Sequence, residues 1–424
     1  MLDIAIVTGT RTPFAKAFGP LAAVPAVELG RLVTTTVLQQ AGLAPDKVDQ
    51  VVFGNVATPA DAANIARVIA LKAGIPQDRI AHTVQRNCAS GLEAVTTAAQ
   101  LIQLNEASVV VAGGTESMSQ VPLLYGPEAT DRFLQLARAK SWWQRIVALV
   151  RFRLRHFKPV PALQLGLTDP VSGLIMGATA EVLAEEFHVT RQEQDEFALE
   201  SHRRASAAQK ECLFKGEITP TPIPDGHPLD KDVGPRADQS LEALAKLRPF
   251  FREGGTVTVG NSCSITDGAA AVVLMPGERA RAEGRPVLGY LRGYAYAGCD
   301  PRRMGLGPAF ATSKLLARTG VGMRDIDLVE MNEAFAAQVI ANERAFASKE
   351  FAQRELGRTE PLGELDGARL NVNGGAIALG HPVGATGTRL VITLLRELRR
   401  RGKKFGLATL CVGGGQGGAV LLEV

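Results

Sequence analysis

The stretch VLQQAGLAPDKVDQVVFGNV, residues 37–56, decides the fold, because its pattern recurs in the other half of the chain. It lies without a gap over LLARTGVGMRDIDLVEMNEA, residues 315–334, with Gly42 on Gly320. Each copy reads as a helix, a glycine stop, a short loop, an aspartate and a strand. We therefore predict that two halves of the chain share one topology and arose by duplication.

A second matching block supports this repeat. The alignment also places Asp49 on Asp327, and the triplet ASG at residues 89–91 matches ATG at residues 385–387. Each triplet opens a helix that leads to a strand ending in glycines. Any two α/β units share such elements, but that general likeness explains neither the gapless match nor the second block. Two such halves usually meet face to face, and a site can form between them.

Apolar runs alternate with stretches of helical period in both halves. The runs at residues 4–7, 51–53 and 109–112 read as strands. This βαβα pattern predicts an α/β protein with a mostly parallel sheet and helices on its faces. The intervening segment has more proline and charge and no strand rhythm, which indicates a long, partly helical insertion. The predicted units are the N-terminal half at residues 1–119, the inserted loop domain at 120–247, a return to the N-terminal half at 248–275 and the C-terminal half at 276–424.

Composition narrows the class of protein. With 424 residues, 46% of them hydrophobic, the chain can bury a large core. Its formal charge of +4 comes without an Arg/Lys strip interleaved with aromatics, and no zinc-ligand spacing occurs, so we do not expect nucleic acid as a partner. Five widely spaced cysteines suit reduced thiols in a cytosol. Neither a secretion signal nor a membrane-spanning run is visible, and we expect a cytoplasmic protein.

One stretch inside the insertion is strongly basic. Residues 138–158, RAKSWWQRIVALVRFRLRHFK, hold seven Lys/Arg and no acid, with Trp142 and Trp143 on the apolar side of a predicted helix. This pattern is typical of an interfacial helix that is attracted to anionic lipid or to a partner protein. It therefore predicts peripheral contact with the inner membrane surface or with a partner, although an ordinary surface helix packed on the core has the same periodicity.

Cys88 is the first candidate for chemistry. It lies between an extended run at residues 83–85 and a stretch of helical period that begins near Leu92, so it falls at a helix amino terminus. Unpaired N–H groups and the positive end of the helix dipole favour a thiolate there, and a thiolate attacks carbonyls. A lone cysteine is also commonly a small buried hydrophobe, so Cys88 needs a base nearby to count as a nucleophile.

His381 is the histidine that suits this role. It lies in the glycine-rich run NVNGGAIALGHPVGATGTR, residues 371–389, where the backbone can approach a ligand closely. Its imidazole could take a proton from a thiol and later hold an oxyanion. Because its run matches the helix start that carries Cys88, pseudo-symmetry would bring the two together. A turn histidine without a function is the alternative.

Two further pieces lie at strand ends. Cys411 closes the last long strand before three glycines, which places a second thiol and bare N–H groups where active sites form in such sheets. Asn332 and Glu333 lie at another strand-to-helix junction. Asn332 would fix a water for an oxyanion while Glu333 supports it, or the pair is a plain helix cap with a first-turn acid.

Taken together and in order, these motifs resemble those of the thiolase family from end to end. The motifs are NCASGLEAV, GGTESMS, MGATAE, NSCSITDGAAA, MGLGP, NEAFA, GGAIALGHPVGATGTR and CVGGGQG. The chain looks most like the bacterial β-oxidation thiolases related to the β subunit of the trifunctional complex. The resemblance implies the five-layered αβαβα thiolase fold, with two similar halves and a loop domain.

The resemblance also implies roles for the site residues. Cys88 would be the acylated nucleophile, His381 its base and Cys411 the second acid/base. Asn332, through a water, and His381 would form one oxyanion hole, and the N–H groups of Cys88 and Gly413 the other. Glu333 would support the network. Positions matching the family's substrate contacts are Met176, Cys263, Met304 and Phe335; the family often has serine at the position of Cys263.

The implied reaction is the cleavage of a 3-ketoacyl-CoA by coenzyme A, through an acyl-cysteine, in fatty acid β-oxidation. Coenzyme A would be a substrate, with no permanent cofactor and no metal. The expected partners are a second copy of the chain and a hydratase/dehydrogenase subunit. A biosynthetic acetoacetyl-CoA thiolase is the nearest alternative. A synthase-type condensing enzyme, a Cys-His-Asn protease and a docking scaffold stay open, although only a thiolase explains Cys411.

Overall fold

The computed structural model describes residues 2–224 and 226–424. The strands are β1 (Ile4–Arg11), β2 (Ala15–Lys16), β3 (Gln50–Gly54), β4 (Ile80–Val84), β5 (Val110–Glu116), β6 (Leu123–Leu124), β7 (Val160–Pro161), β8 (Thr266–Pro276), β9 (Gly289–Gly298), β10 (Leu328–Met331), β11 (Phe405–Val412) and β12 (Gln416–Glu423). The helices are α1 (Ala26–Ala41), α2 (Ile65–Lys72), α3 (Ser90–Gln103), α4 (Pro127–Arg138), α5 (Trp142–Val150), α6 (Ala162–Gly166), α7 (Met176–Glu186), α8 (Arg191–Lys210), α9 (Leu241–Ala245), α10 (Gly277–Ala282), α11 (Gly307–Thr319), α12 (Ala336–Ala347), α13 (Lys349–Glu355), α14 (Ala376–Leu379) and α15 (Thr386–Arg401).

The main sheet is mixed, so the expectation of a mostly parallel sheet is wrong. Its strand order is β10-β11-β12-β9-β1-β8-β5-β3-β4, with β2 attached to β8. Pairs β3–β4, β3–β5 and β10–β11 are parallel, whereas β1, β8, β9 and β12 make antiparallel pairs. The reason is connectivity: β8 returns from the long insertion, and β12 follows β11 through a tight glycine turn.

The core is built in five layers. Helices α1 and α2 pack on the outer face of the first half's strands. Helices α3 and α15 lie against each other between the two sets of strands and form the central core cluster. Helices α11 and α12 contribute to the core on the outer face of the second half. This arrangement agrees with the predicted αβαβα fold of two similar halves.

The predicted repeat is present at its glycine stops. Gly42 ends α1 with φ 62° and Gly320 ends α11 with φ 72°. Both are in the left-handed region, where glycine closes a helix without a Cβ penalty. A short 3₁₀ turn and a parallel strand follow in each copy, β3 in the first and β10 in the second.

The aligned aspartates also have equivalent contacts. Asp49 accepts a hydrogen bond from the backbone N–H of Val109 at 2.9 Å, beside the start of β5. Asp327 accepts one from the N–H of Phe405 at 2.9 Å, at the start of β11. Each carboxylate therefore ties the start of its own strand to a neighbouring parallel strand, β5 in the first half and β11 in the second. The prediction that the halves share one topology is confirmed.

The insertion packs on the first half through a buried ion cluster. Arg11, on β1, donates to Glu217 at 2.6 Å and to Asp232 at 2.6 and 2.8 Å, and it is fully buried. The two carboxylates raise the pKa of Arg11 against the opposing effect of burial. The insertion holds helices α4–α9 and also one short antiparallel pair, β6–β7, which its sequence pattern did not predict. Its predicted boundaries stay a prediction.

The basic segment, residues 138–158, is not one helix. Helix α5 ends at Val150, and a 3₁₀ turn at residues 154–157 follows. Ala148 is the buried residue of α5, whereas Trp142 and Trp143 are 60% and 62% exposed. The segment therefore departs from an ordinary helix packed on the core. Among the described residues, no helix combines the length and the hydrophobicity needed to cross a membrane.

Candidate active site

The site forms where the amino termini of α3 and α15 meet. A Cβ on Gly91 would lie 2.7 Å from the carbonyl oxygen of Gly384, so both helix starts need this glycine to approach so closely. Thr388 donates a hydrogen bond to the Gly91 carbonyl at 3.0 Å across the same contact. The expectation that pseudo-symmetry brings the two helix starts together is confirmed.

Cys88 lies in the loop between β4 and α3, two residues before the helix begins. Burial raises the pKa of its thiol, while hydrogen bonds from the backbone N–H groups of Gly413 and of Cys88 itself lower it. Burial outweighs them, so the helix start alone does not produce a thiolate. The thiol needs a base, and its sulfur faces the glycine loop that follows β11.

His381 follows α14 and is almost fully buried. Its Nδ1 lies 2.6 Å from Thr386 Oγ1, and that hydroxyl donates its one hydrogen to the Pro382 carbonyl at 3.0 Å. Nδ1 must then carry the proton and donate, which leaves a lone pair on Nε2. Burial and then the charge of Arg389 lower the pKa of His381 to about 3, so the resting imidazole is neutral. Nε2 has no partner in the described part of the chain and is free to accept a proton.

Cys411 is fully buried at the carboxyl end of β11. Burial raises the pKa of its thiol well above the ordinary value, and the neighbouring thiols of Cys88 and Cys263 raise it further. Cys263 packs against the same apolar cluster as Cys411, and Asn87, the residue before Cys88, donates a hydrogen bond to the Gly413 carbonyl, two residues after Cys411. The structure therefore brings together the loops that carry the two predicted catalytic thiols, and the Cys411 thiol is protonated at rest.

Asn332 follows β10, and its backbone N–H donates to the Thr409 carbonyl at 3.0 Å. Its side-chain Oδ1 and Nδ2 are buried, and neither has a partner within residues 2–224 and 226–424. Helix α12 begins at Ala336 with Phe335 as its cap residue, so the reading of Asn332 as a helix cap is wrong. A buried amide with both ends free is suited to hold a water or a substrate oxygen.

Glu333 is fully enclosed and well bonded. Its carboxylate accepts hydrogen bonds from Ser201 Oγ at 2.6 Å, Asn371 Nδ2 at 2.8 Å and the Ile377 N–H at 3.2 Å. Burial raises the pKa of Glu333, and the hydrogen bonds oppose that effect. Its contacts join the insertion, the strand end that carries Asn332 and the segment before His381. Glu333 therefore holds these three parts of the site together.

The four predicted substrate contacts share one apolar cluster with Cys411. Met304 and Phe335 are buried in it, and Met176 and Cys263 pack against it half-buried. Burial, followed by the charge of Cys88, raises the pKa of Cys263 to about 12, so its thiol is neutral. This cluster forms an apolar wall beside the three thiols, and a neutral thiol replaces the serine that the family often has.

Three residues of this site were missed in the sequence. Thr386 is the first residue of α15, five residues after His381, and a hydroxyl at that spacing could have been predicted to contact the imidazole. Asn371 begins the glycine-rich run, and its side chain could have been predicted to contact the site for the same reason. Ser201 had no local signal, because it lies in the insertion, 132 positions from the carboxylate it contacts.

No group of three or more His, Cys, Asp or Glu side chains in the described ranges is arranged to hold a metal ion. The donors gathered here are instead thiols, an imidazole, an amide and backbone N–H groups, which suit nucleophilic attack on a thioester or ketone carbonyl.

Comparisons with known proteins agree along the whole chain. The family model described as the thiolase N-terminal domain matches residues 4–278, and that of the thiolase C-terminal domain matches residues 285–424. An acetyl-CoA acetyltransferase of Pseudomonas aeruginosa is 45% identical over all of this chain and 99% of its own length. A 3-ketoacyl-CoA thiolase of Photobacterium profundum is 42% identical, covering 99% of this chain and 96% of its own.

Solved structures extend the agreement to the fold. A Bacillus anthracis acetyl-CoA acetyltransferase superposes with a TM-score of 0.87 at 39% identity, covering 100% of this chain and 99% of that one. Human mitochondrial 3-ketoacyl-CoA thiolase in complex with CoA gives 0.86 at 36% identity, covering 99% and 97%. The predictions of family, fold and acyltransferase class are thereby confirmed. This chain belongs to the thiolase family.

Proposed function

We propose that this protein cleaves 3-ketoacyl-CoA with coenzyme A to give acetyl-CoA and an acyl-CoA two carbons shorter, in fatty acid β-oxidation. The observation that supports the proposal is the close packing of the two helix starts that follow Cys88 and His381, beside the glycine loop that follows Cys411. A soft nucleophile, a neutral base and a second, protonated thiol are the groups that this carbon–carbon cleavage requires.

The first half-reaction uses the resting protonation states. His381 Nε2 takes the Cys88 thiol proton as the sulfur attacks the 3-keto carbon, because burial keeps both groups neutral beforehand. The bond between C2 and C3 then breaks, and the electron pair goes to C2 as the enolate of acetyl-CoA. Cys411 gives its proton to C2, and the products of this stage are acetyl-CoA and the acyl-enzyme.

The second half-reaction restores the enzyme. The thiol of coenzyme A passes its proton to the Cys411 thiolate and attacks the acyl carbonyl. Cys88 leaves as a thiolate and recovers its proton from His381. All atoms and protons balance, and the order of events predicts ping-pong kinetics.

Two donor sets hold the negative charge that develops on oxygen. We assign the Asn332 amide, acting through a water, and the protonated Nε2 of His381 to the enolate oxygen, because both groups lack another partner in the described part of the chain. The backbone N–H groups of Cys88 and Gly413, which already converge on the Cys88 sulfur, face the acyl transfer. Donors fixed in advance in a water-poor space are the largest usual source of acceleration in acyl chemistry.

The direct test is thiolysis of acetoacetyl-CoA and of a longer 3-ketoacyl-CoA, followed in the ultraviolet. We expect Cys88→Ala to lose activity by about 10³-fold or more. Cys212→Ala, at an exposed cysteine, is the matched control and should retain it. Full activity in Cys88→Ala would reject the proposal.

A biosynthetic acetoacetyl-CoA thiolase is the second candidate, since one relative is named acetyl-CoA acetyltransferase. Activity on the short substrate alone would favour it.

We further propose that the basic segment docks the protein on an anionic membrane, at the cytoplasmic face of the inner membrane. Its support is the combination of seven Lys/Arg without an acid and large apolar side chains that face solvent. Apolar side chains can enter the headgroup boundary while each basic residue near the surface gains about 1 kcal/mol from anionic lipid. A packed surface helix would have its apolar side chains on the core.

Sedimentation with phosphatidylglycerol-containing vesicles tests this docking. Changing Arg151, Arg153 and Arg155 together to Glu should weaken binding by about 100-fold or more. The matched control changes three exposed lysines to Glu elsewhere on the insertion, namely Lys210, Lys215 and Lys231. Equal binding by both variants, or binding to pure phosphatidylcholine alone, would contradict the proposal.

We also propose a homo-oligomer that forms through the free edge of β4. This strand ends the sheet path, its residues are exposed or half-buried, and Ile80 is 60% exposed. An exposed strand edge is a template for pairing with another chain. Ile80→Asp should dissociate the oligomer in sedimentation velocity, whereas Leu104→Asp, at a 71% exposed position on α3's carboxyl end, should not.

A complex with a hydratase/dehydrogenase subunit is the last part of the proposal. It rests on the resemblance to the β subunit of the trifunctional complex, and it would place this enzyme beside the one that makes its 3-keto substrate. Co-elution of the two purified subunits in gel filtration would support it. Separate elution at micromolar concentration would reject it.

A further inference from the structure

Asn87, the residue directly before Cys88, links the two catalytic loops. Its side-chain Nδ2 donates a hydrogen bond to the Gly413 carbonyl at 2.8 Å. Its backbone has φ 43°, in the left-handed region that asparagine tolerates better than most residues. The contact spans 326 positions of sequence and joins the nucleophile loop of one half to the glycine loop of the other.

Each end of the contact adjoins a backbone donor, because Asn87 directly precedes the Cys88 N–H and Gly413 itself carries the other N–H. The Asn87 carbonyl accepts hydrogen bonds from the Ser90 N–H at 3.0 Å and from Ser90 Oγ at 2.7 Å. Since this carbonyl and the Cys88 N–H belong to one planar peptide, its anchoring also fixes the direction of that N–H.

The glycine loop, residues 413–415, has no side chains that could fix its conformation. Gly414 and Gly415 have φ 88° and 82°, so the loop turns through conformations without Cβ restraint. The Asn87 amide holds the Gly413 carbonyl, and Arg86 reaches Gln416 Oε1 at 3.1 Å on the far side of the loop. Two successive side chains before the nucleophile therefore fix the loop that carries the Gly413 N–H.

We propose that Asn87 is a positioning residue that sets the register between the N–H groups of Cys88 and Gly413, and so pre-forms the donor pair for the acyl-enzyme. The inference rests on the proposed function, in which these groups receive the oxyanion. Asn87 itself does not touch the reacting atoms. It acts by holding two donors in the geometry that the tetrahedral intermediate needs, before substrate arrives.

Two variants separate the amide from the backbone. Asn87→Gly keeps the left-handed conformation without strain and deletes the amide. Asn87→Asp keeps the shape but replaces the donor with an oxygen that repels the Gly413 carbonyl. We expect both to lower kcat by about 10- to 100-fold, less than or equal to the loss of one oxyanion donor, with KM for coenzyme A little changed. Asn105→Gly, at an exposed asparagine with φ 58°, is the matched control and should behave as wild type.

Alkylation of Cys88 by iodoacetamide gives a second measurement that does not depend on turnover. Because the Gly413 N–H helps to lower the pKa of the Cys88 thiol, misplacing the loop should move the midpoint of the alkylation rate to higher pH in both variants. Thermal melting checks that the variants are folded, and if Asn87→Asp fails to fold, Asn87→Gly decides. Wild-type kcat and an unshifted alkylation profile in Asn87→Gly would overturn the proposal. An inactive wild type with a shifted profile would instead reject the proposed function and leave the positioning role standing.

Discussion

The candidate active site and the basic segment depart from ordinary packing in opposite directions. In the active site, polar atoms of Asn332 and His381 are buried without a partner in the described chain. In the basic segment, Trp142 and Trp143 face solvent. A buried polar atom without a partner costs about 1–3 kcal/mol, and exposed apolar surface forgoes about 25 cal/mol per Å². Each cost is offset only on binding, by a small polar ligand in the first region and by an extended surface in the second.

The sharpest test of the first region is Asn332→Ala. We expect kcat to fall by about 10²–10³-fold, because the variant removes a donor that acts on the developing oxyanion. Stability should stay within about 1 kcal/mol of wild type, since the amide atoms have no hydrogen bonds to lose. Steady-state thiolysis and urea unfolding check the two halves of this prediction. A large loss of stability with unchanged kcat would show that the amide serves the fold.

Asn371→Ala should show the reverse pattern and is the matched contrast. Its amide is fully bonded: Oδ1 accepts from the Met331 N–H at 2.9 Å, and Nδ2 donates to the Met331 carbonyl and to Glu333. Removing it strands three buried groups, so unfolding free energy should fall by about 2–3 kcal/mol in urea titrations. If Asn371→Ala were as stable as Asn332→Ala, hydrogen-bond satisfaction would not distinguish structural from functional amides here.

The buried imidazole predicts a dependence of stability on pH. Burial lowers the pKa of His381 to about 3, from 6.5 in the unfolded chain. Between these values the unfolded state binds the extra proton, so stability rises with pH through this window and falls on acidification. From pH 6.5 to pH 5, wild type should lose about 1.6 kcal/mol more than His381→Gln. His227→Gln, at an exposed histidine, is the control, and its loss of stability on acidification should match that of wild type. If the unfolding free energies of wild type and His381→Gln, measured in urea, changed in parallel with pH, the lowered pKa of His381 would be contradicted.

Features with a local cause in the sequence could be predicted, and features that depend on distant contacts could not. The repeat could be predicted because each copy contains a glycine that ends a helix and an aspartate before a strand, and the two copies have equivalent local structure. The strand directions were not, since β8 pairs antiparallel only because the insertion brings it back to β1. The position of Cys88 before a helix was readable, but its raised pKa depends on tertiary burial.

The basic segment shows the same limit from the other side. Its periodicity predicted one amphipathic helix, yet α5 ends at Val150 and a separate turn follows. Packing usually decides whether such a pattern forms one long helix. Here Ala148 is the residue of α5 that the core buries, so little tertiary contact is available to extend the helix.

The same lack of core contact gives the smallest expected effect on stability. Replacing Trp142 and Trp143 together by Ala should change the free energy of unfolding by less than about 0.5 kcal/mol, because both rings are mostly exposed and, with ring centroids 3.8 Å apart, contact each other rather than the core. Thiolysis should be unchanged for the same reason. Sedimentation with anionic vesicles should nevertheless weaken clearly, since the rings are the largest apolar groups available to enter a headgroup layer. Replacing Val171, which is also exposed but lies outside the basic segment, by Ala is the matched control. A double variant that unfolds readily would mean that these rings stabilise the fold, and the contrast between the two regions would then disappear.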